Sequence, residues 1–437
     1  MNMLADANSS PSAEATPRWR SRSMQRVLLI LLVCAGVSLR IVNLGGVVYR
    51  SADERSYTWE AQTLLQSGTA GFGALAAAQR ADPGLPGPTR AGYLILLAHV
   101  MQITGHDDVT AGSELACAAS IVSVMLVALI AWRSLSAVSA LAAVLLYAVS
   151  PMALMTARRA WEEALVEMLA LILIFIACEI TAGSRSVGWT ILFACTGAFT
   201  ITVKEISAAS FFFCALWVIG VLLFRRETKQ AILFAGLCAF AGLSAVVWLM
   251  HLVGGWHELM QFGTATARFL ANSPYSIAYE SGAPWLLLYG LWIVSATGSL
   301  LVLAALPYAF PLRRPVLPRQ QIVLALALFS LAFLALAAVM PHHLNLRYVC
   351  VIFAPLYLLA GVGFDEVLQF MQRHLKRSEY GLVGVVLTVF LLFSAGVDYY
   401  HFKINFAATD MQDLSIRMVL TADAGGTLSN HDVEKVG

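Results

Sequence analysis

VGWTILFACTGAFTITVKEISAASFFFCALWVIGVLLF, residues 187–224, is an apolar run broken only by Lys204-Glu205. As a single helix it would measure about 57 Å at 1.5 Å per residue. That is nearly twice the ~30 Å hydrocarbon core of a bilayer. The chain must therefore turn near Lys204-Glu205, and the run divides into two spans. The run 111–150 must turn near Arg133 for the same reason. Similar apolar runs recur through all 437 residues, of which 59% are hydrophobic and 12% charged. This pattern predicts an all-α, polytopic transmembrane bundle with no room for a large soluble domain.

Eleven spans can be placed: 27–44, 112–132, 135–150, 161–181, 188–203, 206–224, 231–253, 284–306, 320–340, 348–364 and 381–397. With the N-terminus inside, the cytoplasmic segments hold 15 of the 28 Lys and Arg residues, as the positive-inside rule requires. The outer side then carries the loop 45–111, the loop 151–160, the turn 204–205, the loop 254–283, the segment 341–347 and the tail 398–437. Gly92–Thr104 is too short to cross and would invert every later loop, so it reads as an interfacial helix within the first outer loop. Residues 1–26 form a basic cytoplasmic tail, 27–397 the membrane domain and 398–437 a short outer tail. Arg18, Arg20, Arg22 and Arg26 precede a first apolar run that is long for a signal peptide, so that run reads as an uncleaved span.

A net charge of +2 gives no reason to expect a nucleic-acid partner. The seven cysteines lie in apolar segments without a CxxC pair, which suggests neither a disulfide framework nor a zinc site. No internal repeat is visible, and the lone GxG at Gly71–Gly73 follows no strand.

The inner loops are mostly plain Arg/Lys anchors, whereas the outer loops mix acids, bases and aromatics. The chemistry is therefore expected outside. Asp53 and Glu54 begin the first outer loop. Ser51-x-x-Glu54 fits a capping box, which gives Glu54 a structural role beside any chemical one. Asp53 falls in the first helical turn, where the dipole favours an anion. Arg158-Arg159-Ala160-Trp161-Glu162-Glu163 opens a later span. Local i,i+4 pairing of Arg158 with Glu162 and of Arg159 with Glu163 is one reading; a second carboxylate facing Asp53 is the other. Lys204 sits at a turn that more usually takes Gly, Pro or Asn; it either pairs with Glu205 or binds an anion. His342 and His343 precede Arg347 and Tyr348, a set that suits an anion or an interfacial belt. The histidine pair lacks a spaced third metal ligand. Arg90, three residues before Tyr93, adds a cation; His257 and Arg268 are weaker candidates.

Carboxylates, cations and a lipid-facing site together suit sugar transfer from a lipid phosphate. A carboxylate takes the proton of an attacking hydroxyl and nearby carboxylates stabilise an oxocarbenium-like transition state. Lys and Arg stabilise the departing phosphate. At this point the chain resembles the protein O-mannosyltransferase and lipid A aminoarabinose transferase superfamily, glycosyltransferases of the GT-C fold. Asp53-Glu54-x-x-Tyr57, Arg90-Ala91-Gly92-Tyr93, Arg158 through Glu163, Thr202-Val203-Lys204-Glu205, Arg268-Phe269 with Pro284-Trp285 and Tyr289, and Arg347-Tyr348 carry the resemblance in order.

The resemblance implies a polyprenyl-phosphate-linked sugar donor, an envelope acceptor (lipid, polysaccharide or protein), and inversion at the anomeric carbon. It implies a site on the periplasmic or lumenal face, as in a bacterial inner membrane. Asp53 would be the base, with Glu163 and Glu54 as further catalytic carboxylates. Lys204, Arg90 and Arg347 would bind the donor phosphate. Arg158, Glu162, Tyr57, Tyr348, His342 and His343 would line the substrate site. The second acidic motif usually has Asp, and here it has Glu162 or Glu163. No cofactor is expected, and metal dependence stays open. The other readings are a lipid-linked sugar flippase or transporter, and a non-catalytic envelope assembly protein. A transporter would carry charged or helix-breaking residues near the midplane of several spans; here the charges gather at one face.

Overall fold

The computed structural model describes residues 22–44, 52–82, 85, 87–184, 186–272, 288, 291–292, 294–310, 318–339 and 346–403. Those residues are almost entirely helical, with no strand among them. Along the chain run α1 (Arg22–Ile41), α2 (Ala52–Ser67), α3 (Gly71–Ala81), α4 (Ala91–Thr104), α5 (Val109–Ser134) and α6 (Ala137–Ala148). There follow α7 (Pro151–Thr156), α8 (Glu163–Thr181), α9 (Val187–Val203), α10 (Ser207–Phe224), α11 (Thr228–Val253) and α12 (Trp256–Asn272). The last four are α13 (Ala296–Ala309), α14 (Pro318–Val339), α15 (Phe353–His374) and α16 (Arg377–Phe402), with a 3₁₀ helix, Leu346–Ile352, before α15.

Eight helices are long and apolar enough to cross a membrane, and three of the expected spans fall on the shorter apolar helices α6, α9 and α13. The protein is an integral membrane protein. α8 and α15 lie mostly buried at the centre, while α1, α11 and α16 present apolar surface outward. Ile30, Phe240 and Phe393 on those outer helices are each at least 60% exposed, which suits lipid rather than water as the surrounding solvent. α8 packs on α5, α9, α10 and the 3₁₀ helix, and α15 packs on α6, α13 and α14.

Both forced turns form. α5 ends at Ser134, and Ser136 caps α6 by accepting the Ser139 N–H. Arg133 pairs with Glu179 at 3.1 Å beside that turn. The 187–224 run breaks at Lys204, whose backbone is extended (φ −159°, ψ 141°). Neither Gly nor Pro makes this break. The Ser207 hydroxyl instead lies 3.1 Å from the Thr200 carbonyl and 2.5 Å from that of Lys204. It thus serves carbonyls that the interrupted helix leaves without intrahelical donors.

α4 has 14 residues, about 21 Å, and does not reach across a bilayer. It lies against α2, α5 and α9 and stops at Gly105, whose φ of +73° is in the left-handed region. Two features differ from the sequence reading. The first part of the loop 254–283 is a helix, α12, tied to α3 by an Arg80–Glu258 ion pair of 2.8 Å. Its amphipathic sequence is surface-seeking and contains no long apolar run, so span-hunting passes over it. The final helix also continues to Phe402, past the expected end at 397.

Candidate functional site

Four segments converge at one end of the bundle: α2, the start of α4, the turn 157–162 before α8, and the break between α9 and α10. Lys204 is at their centre, only 4% exposed. Its ammonium lies 2.7 Å from Glu163 Oε1 and 2.9 Å from Glu162 Oε1. Arg90 donates to the same Glu162 oxygen at 2.8 Å and stands 3.6 Å from Glu205. Glu205 also accepts from the Thr89 hydroxyl at 2.7 Å. Burial opposes ionisation of Glu162, but Arg90 and Lys204 outweigh it and hold its carboxyl below the usual range. The expected Lys204–Glu205 pair is thus replaced: Lys204 turns inward to the two glutamates, and Glu205 pairs with Arg90.

The expected i,i+4 pairs of the Arg158–Glu163 segment do not form. Residues 157–162 are a turn, and α8 begins only at Glu163, so the helical spacing those pairs need is absent. Arg158 points away from the glutamates. Its guanidinium donates to the carbonyls of Leu39, Val42 and Asn43 at 2.6, 3.0 and 2.6 Å. It closes the C-terminus of α1, where exposed carbonyls attract a cation. Arg159 is buried against Glu54 at 3.3 Å and stacks over Trp161. Glu54 is 0% exposed and also accepts the Ala160 N–H at 3.0 Å. Its carboxylate clamps α2 to the 157–162 turn, a tertiary role beyond the expected local cap. The cap partner, Ser51, lies outside the described residues.

Asp53 is half-buried in the first turn of α2. On the same helix Tyr57 is buried under the Arg90 guanidinium, 5.5 Å from the ring centroid. Tyr57 meets Tyr93 edge-on at 5.2 Å. Burial and the nearby Glu162, Glu163 and Glu54 push the Tyr93 phenol up. Gly92 lets α4 come this close to α9: a Cβ there would stand 2.2 Å from Thr202 Oγ1. Arg347 and Tyr348 lie in the 3₁₀ helix, and Cys350 one turn after Arg347 has its Sγ 3.6 Å from the Glu163 carbonyl oxygen. That backbone therefore adjoins the glutamates; the two side chains, with those of His342 and His343, are outside the described residues.

Three buried groups near the site escaped the sequence reading. Glu60, one helical face with Asp53 and Tyr57, is 2% exposed; its i, i+7 spacing from Asp53 was the available signal. Glu167 follows Glu163 by one turn of α8 and faces Tyr147 and Arg40. Arg40 donates to Ser120 Oγ at 2.7 Å and to the Gly36 carbonyl at 3.0 Å. No group of three or more metal-ligating side chains occurs among the described residues.

An apolar groove of about 520 Å³ opens between α9 and α11. Ile191, Phe199 and Thr202 line one wall, Phe240 and Trp248 the other. It ends at Thr202, two residues from Lys204.

No protein-family model matches this sequence, and no curated protein matches it. Solved structures do. ArnT from Cupriavidus metallidurans bound to undecaprenyl phosphate superposes with a TM-score of 0.57 at 13% identity, over 91% of this chain and 78% of that one. The same protein in the apo state gives 0.53 at 14% identity, over 93% and 76%. The archaeal oligosaccharyltransferase AglB from Archaeoglobus fulgidus, in complex with an inhibitory peptide and a dolichol-phosphate, gives 0.55 at 10% identity. That match covers 90% of this chain and 56% of AglB. The chain has the fold these transferases share, the GT-C fold that its ordered motifs resemble.

Proposed function

We propose that the protein is a membrane glycosyltransferase that moves a sugar from a polyprenyl-phosphate donor to an envelope acceptor. The observation that carries this reading is the cluster in which the buried Glu162 and Glu163 share Lys204 while Arg90 bridges Glu162 and Glu205 at its edge. An acid–base lattice of this kind at one end of a membrane bundle supplies both halves of the chemistry. Asp53 acts as general base on the acceptor hydroxyl. The glutamates orient the two cations and lower the energy of positive charge at the anomeric carbon. Arg90 and Lys204, with Arg347 one 3₁₀ turn from Cys350, stabilise the departing phosphate.

The fold supports a lipid-linked donor. ArnT was solved with undecaprenyl phosphate and AglB with a dolichol-phosphate. The groove between α9 and α11 suits a prenyl tail, because it is apolar, opens outward and includes Thr202, two residues before Lys204. In this reading the N-terminus is cytoplasmic and the site extracytoplasmic, as the Lys/Arg distribution favours. Purified protein in lipid vesicles, supplied with a panel of polyprenyl-phosphate sugars and candidate acceptors, should release free polyprenyl phosphate with at least one pair. Transfer from nucleotide sugars alone would contradict the proposal.

A further inference from the structure

Glu60 is the buried acid that the transfer chemistry leaves unused. Residues 53, 57 and 60 fall at i, i+4 and i+7 on α2, one helical face. Glu60 Oε2 has no hydrogen-bond partner among the described residues. An ionised carboxylate in that setting is costly. The charged neighbours that act on it are acids: Asp53 from its own helix and Glu162 from the 157–162 turn. Among the described residues, the cations near α2 are held by other carboxylates: Arg159 of the 157–162 turn pairs with Glu54. From α4 comes Tyr93, and Arg90 just before that helix is held by Glu162 and Glu205. On α3, Arg80 pairs with Glu258, and on α5, Glu114 pairs with His106. Burial first, then Glu162 and Asp53, raise the Glu60 carboxyl well above the usual range.

We propose that Glu60 is a positioning residue that works as a neutral carboxylic acid on the helix face of Asp53 and Tyr57, giving the site a buried donor without a further negative charge, so that Asp53 takes the acceptor's proton. This rests on the reading of Asp53 as base. In the transfer step the acceptor O–H bond breaks and its proton moves to Asp53. The acceptor oxygen bonds to the anomeric carbon. The carbon–oxygen bond to phosphate breaks, and its electron pair leaves on the phosphate. Glu60 keeps its proton throughout. Ionisation of Glu60 at alkaline pH would put a third negative charge beside Asp53 and Glu162 and disorder the site.

The test uses the full chain in lipid vesicles, with infrared difference spectroscopy and transfer kinetics across pH. A protonated-carboxyl band, shifted by deuterium exchange, is expected at neutral pH in the wild type and lost in Glu60→Gln. Glu60→Gln should hold kcat within about threefold at neutral pH, because the amide keeps the neutral donor, and should abolish the alkaline fall in kcat. Glu60→Ala, which removes the buried donor, should lose about tenfold or more. The proposal fails if no band is lost in Glu60→Gln, if folded Glu60→Gln is as inactive as Asp53→Asn, or if Glu60→Ala matches the wild type. Should the wild type transfer no sugar at all, the functional reading fails, and the infrared measurement still decides the protonation of Glu60.

Discussion

At the scale of residues, Lys204 is the most exposed to test because so much leans on it. A buried lysine with two glutamates at 2.7 and 2.9 Å is compensated; removing it takes away the ammonium that the two buried carboxylates share. Breaking a buried ion pair from one side costs about 3–5 kcal/mol. Lys204→Met should therefore lower thermal stability in detergent by that order, and Lys204→Met with Glu163→Gln should recover part of it. A single mutant as stable as the wild type would mean that the glutamates find another partner. Glu162 adds a pH dependence with a definite sign. Its carboxyl is held below the usual carboxylate range, so its contribution is present at and above that range and fades as pH falls toward the folded value. Glu162→Gln should flatten the acid side of the stability profile. Glu60 has the opposite sign: its raised carboxyl contributes below the ordinary carboxylate range and loses that contribution as pH rises through its folded value. The position of Lys204 at a turn was legible in the sequence, because only the length of the 187–224 run had to be weighed. Its partners were not legible, since Glu162 and Glu163 lie some forty residues away and their contact exists only after α8 and α9 pack. Arg158 shows the opposite failure. The i,i+4 rule suggested a glutamate partner, but the turn at 157–162 turned its guanidinium toward the carbonyls of α1.

At the scale of elements, the site depends on how closely α4 can approach α9. Gly92 faces Thr202 with no room for a side chain. Gly92→Val should push the two helices apart and move Arg90, at the head of α4, away from Glu162. Overpacking of this kind costs about 1–3 kcal/mol. The variant should lose transfer activity out of proportion to its loss of fold, measured by turnover against thermal unfolding. The shortness of α4 was readable in the sequence. α12 was not, because an amphipathic surface helix resembles an ordinary polar loop when spans are sought by hydrophobicity. Glu54 belongs at this scale too. Its sequence neighbours suggested a cap within α2, yet its bonds to Arg159 and the Ala160 N–H join α2 to the turn before α8. Glu54→Gln should loosen that junction, seen as faster amide hydrogen exchange in α2 with the membrane helices unchanged.

At the scale of the whole molecule, helix lengths and the Lys/Arg distribution were enough to foresee a polytopic bundle and to choose an orientation for it. The likeness to ArnT and AglB extends over at least nine-tenths of the chain at 10–13% identity, so the architecture persists where few side chains are shared. The orientation has its own check. In intact cells or sealed right-side-out vesicles, a single cysteine introduced at Glu205 should react with an impermeant thiol reagent, and one introduced at Arg226 should not. The reverse pattern would place the acidic cluster inside and remove the extracytoplasmic reading. The account as a whole meets its most direct test in the turnover of Asp53→Asn, purified and reconstituted with the polyprenyl-phosphate sugar that the wild type uses. Loss of general-base catalysis predicts a fall in kcat of roughly 10²-fold or more with the fold intact; turnover equal to the wild type would contradict it.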